Sequence, residues 1–434
     1  MRTIKLTSGQ MPTAEMYKRN ATITAEELKA VADIIDDVRK RGDEAVAEYT
    51  ERFDKVKPRV TNISLQEAEL VIKRVSRDVL EALDVAAKRI TDFHSRQLRQ
   101  SSFDARSDGS LVGTKITPLD SVGIYVPGGR ALYPSTVLMN AIPARVAGVR
   151  RIAMVTPPND KGTVEPVLLA AALLAGVTEI HVVGGAQAIA ALAYGTKSIA
   201  SVDKITGPGN AYVAAAKRLV SGDVGIDMIA GPSEVLILAD DSAEPALVAI
   251  DLMAQAEHDP QAACYLVTTD PDLPEVVLEE IEAFLEDSPR ADITRKSLDD
   301  NGVIFVVPDL STAISAANTI APEHLEVNMD NALEILGLLD NAGAIFLGHW
   351  TPESVGDYVA GPNHTLPTSG TARFSSPLSV DDFTKKTSVI CYSASALNQD
   401  MPIISALANV EGLWAHGKSV RARFEILEDD DTVS

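Results

Sequence analysis

The stretch S-V-G-I-Y-V-P-G-G, which runs from Ser121 to Gly129, decides the fold. Its apolar part, 122–126, predicts a short buried strand, and Pro127-Gly128-Gly129 predicts the turn that ends it. Strand and helix patterns then alternate downstream: a helix over 135–148, a strand over 151–155, a helix over 164–176 and a strand over 179–183. This alternation predicts a parallel sheet covered by helices on both faces.

A second run with the same alternation follows between residues 234 and 347. It contains predicted strands at 234–239, 263–268, 302–307 and 341–347, and predicted helices at 243–256 and 274–285. Upstream, Thr24 and Glu27 form a capping box for a helix, and a second charged helix is predicted over 65–97. The first 20 or so residues resemble a polar arm, and the chain after Asp381 resembles a helical tail. The fold class is therefore predicted to be α/β with two parallel-sheet domains.

Composition narrows the possible partners and the compartment. The 434 residues are 46% hydrophobic and carry a net charge of −22, so nucleic acid and anionic membrane surfaces are not expected partners. Neither a secretion signal nor an apolar segment as long as a bilayer span, about 20 residues, is found. The two cysteines, Cys264 and Cys391, lack any pair spacing and are both expected to be buried. A soluble, cytoplasmic protein is predicted.

Four of the seven histidines have polar neighbours that suggest chemistry. Gln255 and His258 are three residues apart, so they share one helical face; with Asp357 and His416 they would suit zinc or manganese. A histidine at a helix end is also often a simple cap, and spacing alone leaves both interpretations open. The other three histidines are expected to be structural: His94, His181 and His349.

The adjacent pair Glu323-His324 could flank a substrate, each residue acting as its own general base. A solvated turn is an equally good local interpretation. His364 ends the turn-like sequence G-P-N-H and could be merely exposed.

Three glycine-containing loops follow predicted strands: 127–129, 184–187 and 207–210. They would let a dinucleotide approach the backbone, although G-x-G-x-x-G is absent and glycine is common in ordinary turns.

Longer blocks carry a more specific signal. They are G-I-Y-V-P-G-G from residue 123, T-G-P-G-N-A-Y from 206, A-Q-A-E-H-D from 254, A-P-E-H-L-E-V from 321, G-D-Y-V-A-G-P-N-H from 356 and E-G-L-W-A-H from 411. These blocks closely resemble the histidinol dehydrogenase family, in family order, from about residue 22 to 425. Two positions depart from the family pattern: Arg130 and Trp414 stand where small residues are more usual.

The resemblance implies a role for each matching residue. It implies one zinc per subunit, with substrate nitrogens completing the shell, and NAD as electron acceptor, with two molecules consumed per substrate. It implies zinc ligands at Gln255, His258, Asp357 and His416, a water-activating Glu323, a general base at His324, substrate contacts at Ser233, His364 and Glu411, and NAD contacts at Tyr125, Gln187 and Asn210. The zinc ligands and His324 would also contact the substrate.

The resemblance also implies an architecture: two Rossmann-like units similar to aldehyde dehydrogenases, and small helical terminal domains that intertwine a homodimer. Glu411 and His416 would then come from the partner subunit. The predicted division is an arm over 1–21, a discontinuous metal-binding and catalytic α/β domain over 22–124 and 233–380, an NAD-binding α/β domain over 125–232, and a helical tail over 381–434 that is exchanged in the dimer.

The expected reaction is the NAD-dependent four-electron oxidation of L-histidinol to L-histidine through L-histidinaldehyde, which ends histidine biosynthesis. One alternative is a related zinc and NAD dehydrogenase of another polar alcohol, such as a sulfonated diol. Another is a zinc hydrolase with Glu323 as its base. A thiol route is not expected, because neither cysteine is placed like a nucleophile.

Overall fold

A computed structural model describes residues 1–17, 23–57, 61–128 and 132–430. Gly129 of the predicted turn and Arg130, the first departure from the family pattern, lie outside these residues. The chain forms two compact units, the first from residues 1–98 and 119–383 and the second from 99–118 and 384–434. Within the described residues, no helix has both the length and the apolarity needed to cross a membrane.

The elements are numbered along the chain. The strands are β1 (Arg2–Lys5), β2 (Asn62–Ile63), β3 (Ser102–Ala105), β4 (Leu111–Pro118), β5 (Ser121–Tyr125), β6 (Arg151–Thr156), β7 (Glu179–Val182), β8 (Lys204–Thr206), β9 (Gly225–Ile226), β10 (Glu234–Ala239), β11 (Ala263–Thr268), β12 (Val303–Val306), β13 (His324–Asn328), β14 (Ala344–Leu347) and β15 (Thr384–Cys391). The α-helices are α1 (Ala25–Arg41), α2 (Asp43–Asp54), α3 (Leu65–Val71), α4 (Arg77–Ser95), α5 (Pro134–Ala147), α6 (Pro166–Ala175), α7 (Gly185–Tyr194), α8 (Ala211–Val220), α9 (Pro245–Ala256), α10 (Leu273–Asp287), α11 (Ala291–Asn301), α12 (Leu310–Ile320), α13 (Glu353–Tyr358), α14 (Ala394–Val410) and α15 (Trp414–Asp430).

The first sheet of the first unit contains the quoted stretch as its strand β5. Its order is β2-β7-β6-β5-β8-β9, and its strands pair in parallel except β2, which is antiparallel to β7. Helices α3, α4, α5 and α6 share one buried cluster with this sheet, and α1, α7 and α8 share another. The capping box of Thr24 and Glu27 is present at the start of α1. The helix predicted over 65–97 is broken, because Val75 and Ser76 are extended.

The packing corrects the predicted domain division. We predicted that residues 22–124 belong with 233–380, but α1, α3 and α4 bury their apolar faces on the first sheet, and 99–118 lie in the second unit. The apolar stripe of an amphipathic helix shows that the helix covers a core, but it does not show which core.

The second sheet of the first unit is parallel throughout, in the order β1-β12-β11-β10-β13-β14. The predicted strands over 234–239 and 263–268 have the bounds of β10 and β11. The arm predicted over 1–21 is wrong for Arg2–Lys5, which pairs with β12 at the sheet edge. β13 was not predicted at all, yet it lies inside the sheet beside β10. Both parallel sheets confirm the predicted α/β fold class.

The second unit contains an antiparallel sheet in the order β15-β4-β3 and the helices α14 and α15. The tail predicted to be helical from residue 381 therefore begins with the strand β15, which pairs with β4 along eight residues. Cys391, expected to be buried, is exposed at the end of this edge strand, whereas Cys264 is buried as predicted.

Candidate active site

The glycine loops meet at the carboxyl edge of the first sheet, where α/β sheets bind ligands. A Cβ atom on Gly128 or Gly184 would lie 2.5 Å or 2.7 Å from the ring of Pro157. A Cβ atom on Gly207 would lie 2.1 Å from the main-chain oxygen of Tyr125. Only glycine fits at these points, so the chain can pack this closely where β5, β7 and β8 end.

Polar side chains without protein partners also collect at this edge. The amide of Gln187 is buried, and neither its oxygen nor its nitrogen has a hydrogen-bond partner among the described residues; the same holds for the hydroxyls of Thr156 and Thr206. The hydroxyl of Tyr125 accepts a hydrogen bond from the Gly185 N–H at 3.1 Å, and burial raises the pKa of this phenol to about 12. Buried polar atoms normally have partners, so these atoms suit a polar ligand.

Asn210, the third predicted NAD contact, is the N-cap residue of α8. Its Oδ1 accepts a hydrogen bond from the Val213 N–H at 3.1 Å, which leaves its amide nitrogen for other use. Tyr125 is the last residue of β5, Gln187 lies on α7 just after β7, and Asn210 follows β8. All three therefore lie at the same edge of one sheet. Their donors and acceptors, together with the glycine backbone, fit a dinucleotide.

Glu323 and His324 lie at the start of β13 and are both buried, so the solvated-turn interpretation is wrong. The carboxylate of Glu323 accepts a hydrogen bond from the Glu234 N–H at 3.0 Å. Burial raises the pKa of Glu323 well above its ordinary value, and the nearby carboxylates of Glu234 and Asp357 raise it further, while hydrogen bonds from Glu234 and Ser233 oppose the rise. Ser233 therefore contacts Glu323 directly.

The imidazole of His324 is oriented by two oxygen acceptors. Its Nδ1 lies 3.1 Å from the main-chain oxygen of Glu234 and 3.2 Å from Oε1 of Gln255. We therefore assign the proton to Nδ1, which leaves the lone pair on Nε2. Nε2 is buried and has no partner among the described residues. Burial lowers the pKa of His324 to about 4, so the ring is neutral at pH 7 and can accept a proton.

Asp357 lies on α13 among several imidazoles. Its Oδ1 is 3.6 Å from Nδ1 of His364. Burial alone would raise the pKa of Asp357, but the hydrogen bond from His364 and the electrostatic interactions with the surrounding imidazoles hold it below its ordinary value. His258 follows α9, with Nδ1 3.0 Å from the Ala254 oxygen and 3.5 Å from Nε2 of Gln255. Gln255, His258, Asp357 and His364 are thus gathered around Glu323 and His324.

Among the described residues, His324, Glu353 and Asp357 form a group of potential metal ligands whose ligand atoms lie within 4.8 Å of one another. Of the predicted ligands, this group contains only Asp357. Glu353 was missed, although its position four residues before Asp357 on one helical face could have identified it. Its Oε2 is buried without a partner among the described residues, as is Nε2 of His324. Nitrogen and oxygen donors of this kind fit a divalent cation such as zinc.

Behind His324, further carboxyl groups are buried in contact with one another. Oε1 of Glu353 lies 3.6 Å from Nδ1 of His324, and the Glu353 N–H donates to Glu326 at 2.7 Å. Burial raises the pKa of Glu326 to about 8 and that of Asp251 to about 6, and it raises the pKa of Glu353 well above its ordinary value. At pH 7 the carboxyl group of Glu326 is therefore mostly protonated, close to the site.

Glu411 and His416 belong to the second compact unit, whereas the other candidate residues belong to the first. Glu411 is the C-cap residue of α14, and His416 is in the first turn of α15; both side chains are exposed. Trp414, the second departure from the family pattern, is also exposed. The three histidines expected to be structural are bonded to other groups: His94 to the Ile90 oxygen, His181 to Asn62 and Glu179, and His349 to Asn328 and Asp330.

The chain is similar to known proteins over nearly its whole length. A family model described as histidinol dehydrogenase matches residues 17–424. The histidinol dehydrogenase of Bacillus cereus is 51% identical over 412 residues, covering 95% of this chain and 96% of that protein. That of Geobacillus kaustophilus is 54% identical over 402 residues, covering 93% and 95%.

A crystal structure of histidinol dehydrogenase from Elizabethkingia anophelis superposes with a TM-score of 0.92 at 36% sequence identity, covering 99% of both chains. The relatives described here give no support to the alternative of a sulfonated-diol dehydrogenase. With a family model over nearly its whole length and relatives at about half identity, the chain belongs to the histidinol dehydrogenase family of oxidoreductases.

Proposed function

We propose that this protein catalyses the NAD-dependent four-electron oxidation of L-histidinol to L-histidine through L-histidinaldehyde, the last steps of histidine biosynthesis. Family membership supports the reaction. The observation that carries it is the buried pair Glu323 and His324, beside the cluster of Gln255, His258 and Asp357. A neutral imidazole with a free Nε2 is the base that removal of an alcohol proton requires.

We assign the metal site to Gln255, His258 and Asp357, with His416 as the fourth ligand. A zinc ion held there would anchor the substrate through Lewis-acid bonds to its imidazole and amine nitrogens. In this assignment Gln255 both binds the metal and orients the His324 ring, because its Oε1 accepts a hydrogen bond from that ring. Ser233, His364 and Glu411 would add polar contacts that orient the substrate, and orientation can contribute about 7–11 kcal/mol to such a reaction.

We assign NAD to the carboxyl edge of the first sheet, with Tyr125, Gln187 and Asn210 as contacts. NAD bound there would be the electron acceptor for both oxidations, with two molecules consumed per substrate. Because the phenol of Tyr125 stays protonated, it can donate a hydrogen bond. The unpartnered amide of Gln187 can both donate and accept.

We assign proton transfer to Glu323 and His324. His324 would take the hydroxyl proton on Nε2 in the first oxidation. Glu323, next to it, would then activate the water that adds to the aldehyde, because its carboxyl group is held in place by Glu234 and Ser233. Cys264 does not suit a thiol route, because it is buried and its pKa is raised by that burial.

The proposal includes a homodimer with shared active sites, in which Glu411 of the partner subunit and His416 of the partner subunit complete each site. Support comes from the exposed apolar side chains on α14 and at the start of α15, which a free surface rarely collects. They are Ile403, Leu407, Val410, Leu413 and Trp414. We also place the enzyme in the cytoplasm, since both cysteines are free thiols.

The test is the yield of NADH per L-histidinol, measured with and without a chelator. Two NADH per substrate, lost on chelation and restored by zinc, is the expected result. One NADH per substrate would contradict the four-electron reaction. No NADH signal at all would favour a hydrolase that uses Glu323 as its base.

A further inference from the structure

A buried ion pair lies behind the 207–210 loop at the carboxyl edge of the first sheet. Lys217 lies on α8 and Asp227 directly follows β9; their side chains are 2% and 1% exposed, and the ammonium and carboxylate are in direct contact. Taking two charges out of water is costly, and apolar residues of similar size often stabilise a fold equally well. The pair therefore calls for an explanation beyond stability.

The two charges hold both main-chain groups of one residue. The Lys217 ammonium donates to the Gly207 oxygen at 2.9 Å, and the Asp227 carboxylate accepts from the Gly207 N–H at 2.8 Å. The same carboxylate accepts from the Met228 N–H at 2.6 Å, which ties it to the chain after β9. An apolar pair could fill this space, but it could not hold these polar groups.

Gly207 connects two of the proposed NAD contacts. On one side Gly207 packs closely against the main chain of Tyr125, and its own φ is 108°. On the other side it leads to Asn210, which caps the helix that carries Lys217. Holding Gly207 therefore fixes the end of the 207–210 loop that lies against Tyr125, while the N-cap hydrogen bond of Asn210 holds the other end.

We propose that Lys217 and Asp227 are positioning residues that hold the 207–210 loop in the conformation that binds the nucleotide, which rests on the NAD site proposed above. An ordered loop does not lose its conformational entropy on binding, so the pair contributes to affinity without touching the ligand.

The test compares NADH binding, by NADH fluorescence, and amide exchange of residues 205–213 in the full-length protein. The double variant Lys217→Met/Asp227→Asn removes both charges together, so no unpaired charge stays buried. Lys217→Arg is a milder second variant that keeps the charge but changes its shape. The matched control is Lys204→Met, which breaks the contact with Asp382 at the opposite end of β8.

We expect the double variant to raise the NADH dissociation constant by about tenfold or more, with faster exchange in 205–213. Lys217→Arg should raise the NADH dissociation constant by a smaller factor. If the double variant does not fold, the result for Lys217→Arg alone tests the proposal. Lys204→Met should bind NADH like the wild type. An unchanged dissociation constant in both Lys217 variants, with only a lower unfolding midpoint, would overturn the positioning role. A wild-type protein that binds no NADH would instead overturn the proposed site.

Discussion

Gly207 offers a direct test of how tightly the 207–210 loop is packed, because Gly222 provides a matched control in the same chain. Gly207 and Gly222 have nearly the same backbone angle, φ of 108° and 106°, which L side chains rarely adopt. Alanine at either position should cost about 1–3 kcal/mol in backbone strain. A Cβ atom on Gly222 meets nothing within 4 Å, whereas one on Gly207 would lie 2.1 Å from the Tyr125 oxygen.

The difference between the two alanine variants isolates that contact. Cβ atoms essentially never approach other atoms within 3.0 Å, so the loop in Gly207→Ala must move by roughly 1 Å. We expect an additional loss of about 1–3 kcal/mol relative to Gly222→Ala. Because a displacement of about 1 Å in a binding site can cost about 100-fold, NADH affinity should fall strongly in Gly207→Ala and little in Gly222→Ala.

Urea unfolding followed by circular dichroism measures the first effect, since both tryptophans, Trp350 and Trp414, are exposed and would report poorly on the core. NADH fluorescence titration measures the second effect. Equal unfolding midpoints for the two variants, together with equal NADH dissociation constants, would refute the reasoning.

Three further predictions concern the residues in and around the proposed active site. Glu323→Gln should still form the aldehyde but lose most of the second oxidation, because no carboxylate remains to activate water; full-rate formation of two NADH per substrate would contradict this role. His258→Asn should lose bound zinc and L-histidinol affinity together, measured by metal analysis and calorimetry, and retention of either one alone would argue against a shared site. Glu326→Gln should change the pH dependence of stability. Burial raises the pKa of Glu326 to about 8 in the folded state, so its contribution to stability is complete below its unfolded value and is lost as pH rises through about 8. The unfolding midpoint of wild type should therefore fall relative to Glu326→Gln between about pH 5 and about pH 9, and parallel curves would count against a raised pKa.

Sequence patterns predicted the central strands well and the edges poorly, for identifiable reasons. β10 and β11 are buried throughout and nearly continuously apolar, so their bounds were predicted correctly. β1 is a short edge strand of sequence R-T-I-K, and only its pairing with β12 identifies it. β13 was missed because it begins with His324 and contains Glu326, and charged residues rarely lie inside a sheet.

The candidate site was predicted in the same uneven way. The family blocks named the residues that the fold gathers around His324, but periodicity could not predict their burial. Glu353 was overlooked although its spacing to Asp357 on α13 could have identified it, and Glu234 was overlooked because its importance lies in contacts across the sheet. Glu234 holds Glu323 through its N–H and His324 through its carbonyl oxygen, and no local pattern reveals such a task.

Burial shifts the pKa values of Glu323 and His324, the two proposed catalytic residues, in opposite directions. It raises the pKa of Glu323, which favours the neutral carboxyl group, and it lowers the pKa of His324 to about 4, so this imidazole is neutral near pH 7. Asp357 is different, since surrounding imidazoles hold its pKa down and keep it ionised. The cluster therefore contains unpartnered lone pairs and an ionised carboxylate. A site of this kind attracts cations, which suits both a divalent metal and the ammonium group of an amino alcohol, and a cation bound there would in turn favour the ionised form of Glu323 that water activation requires.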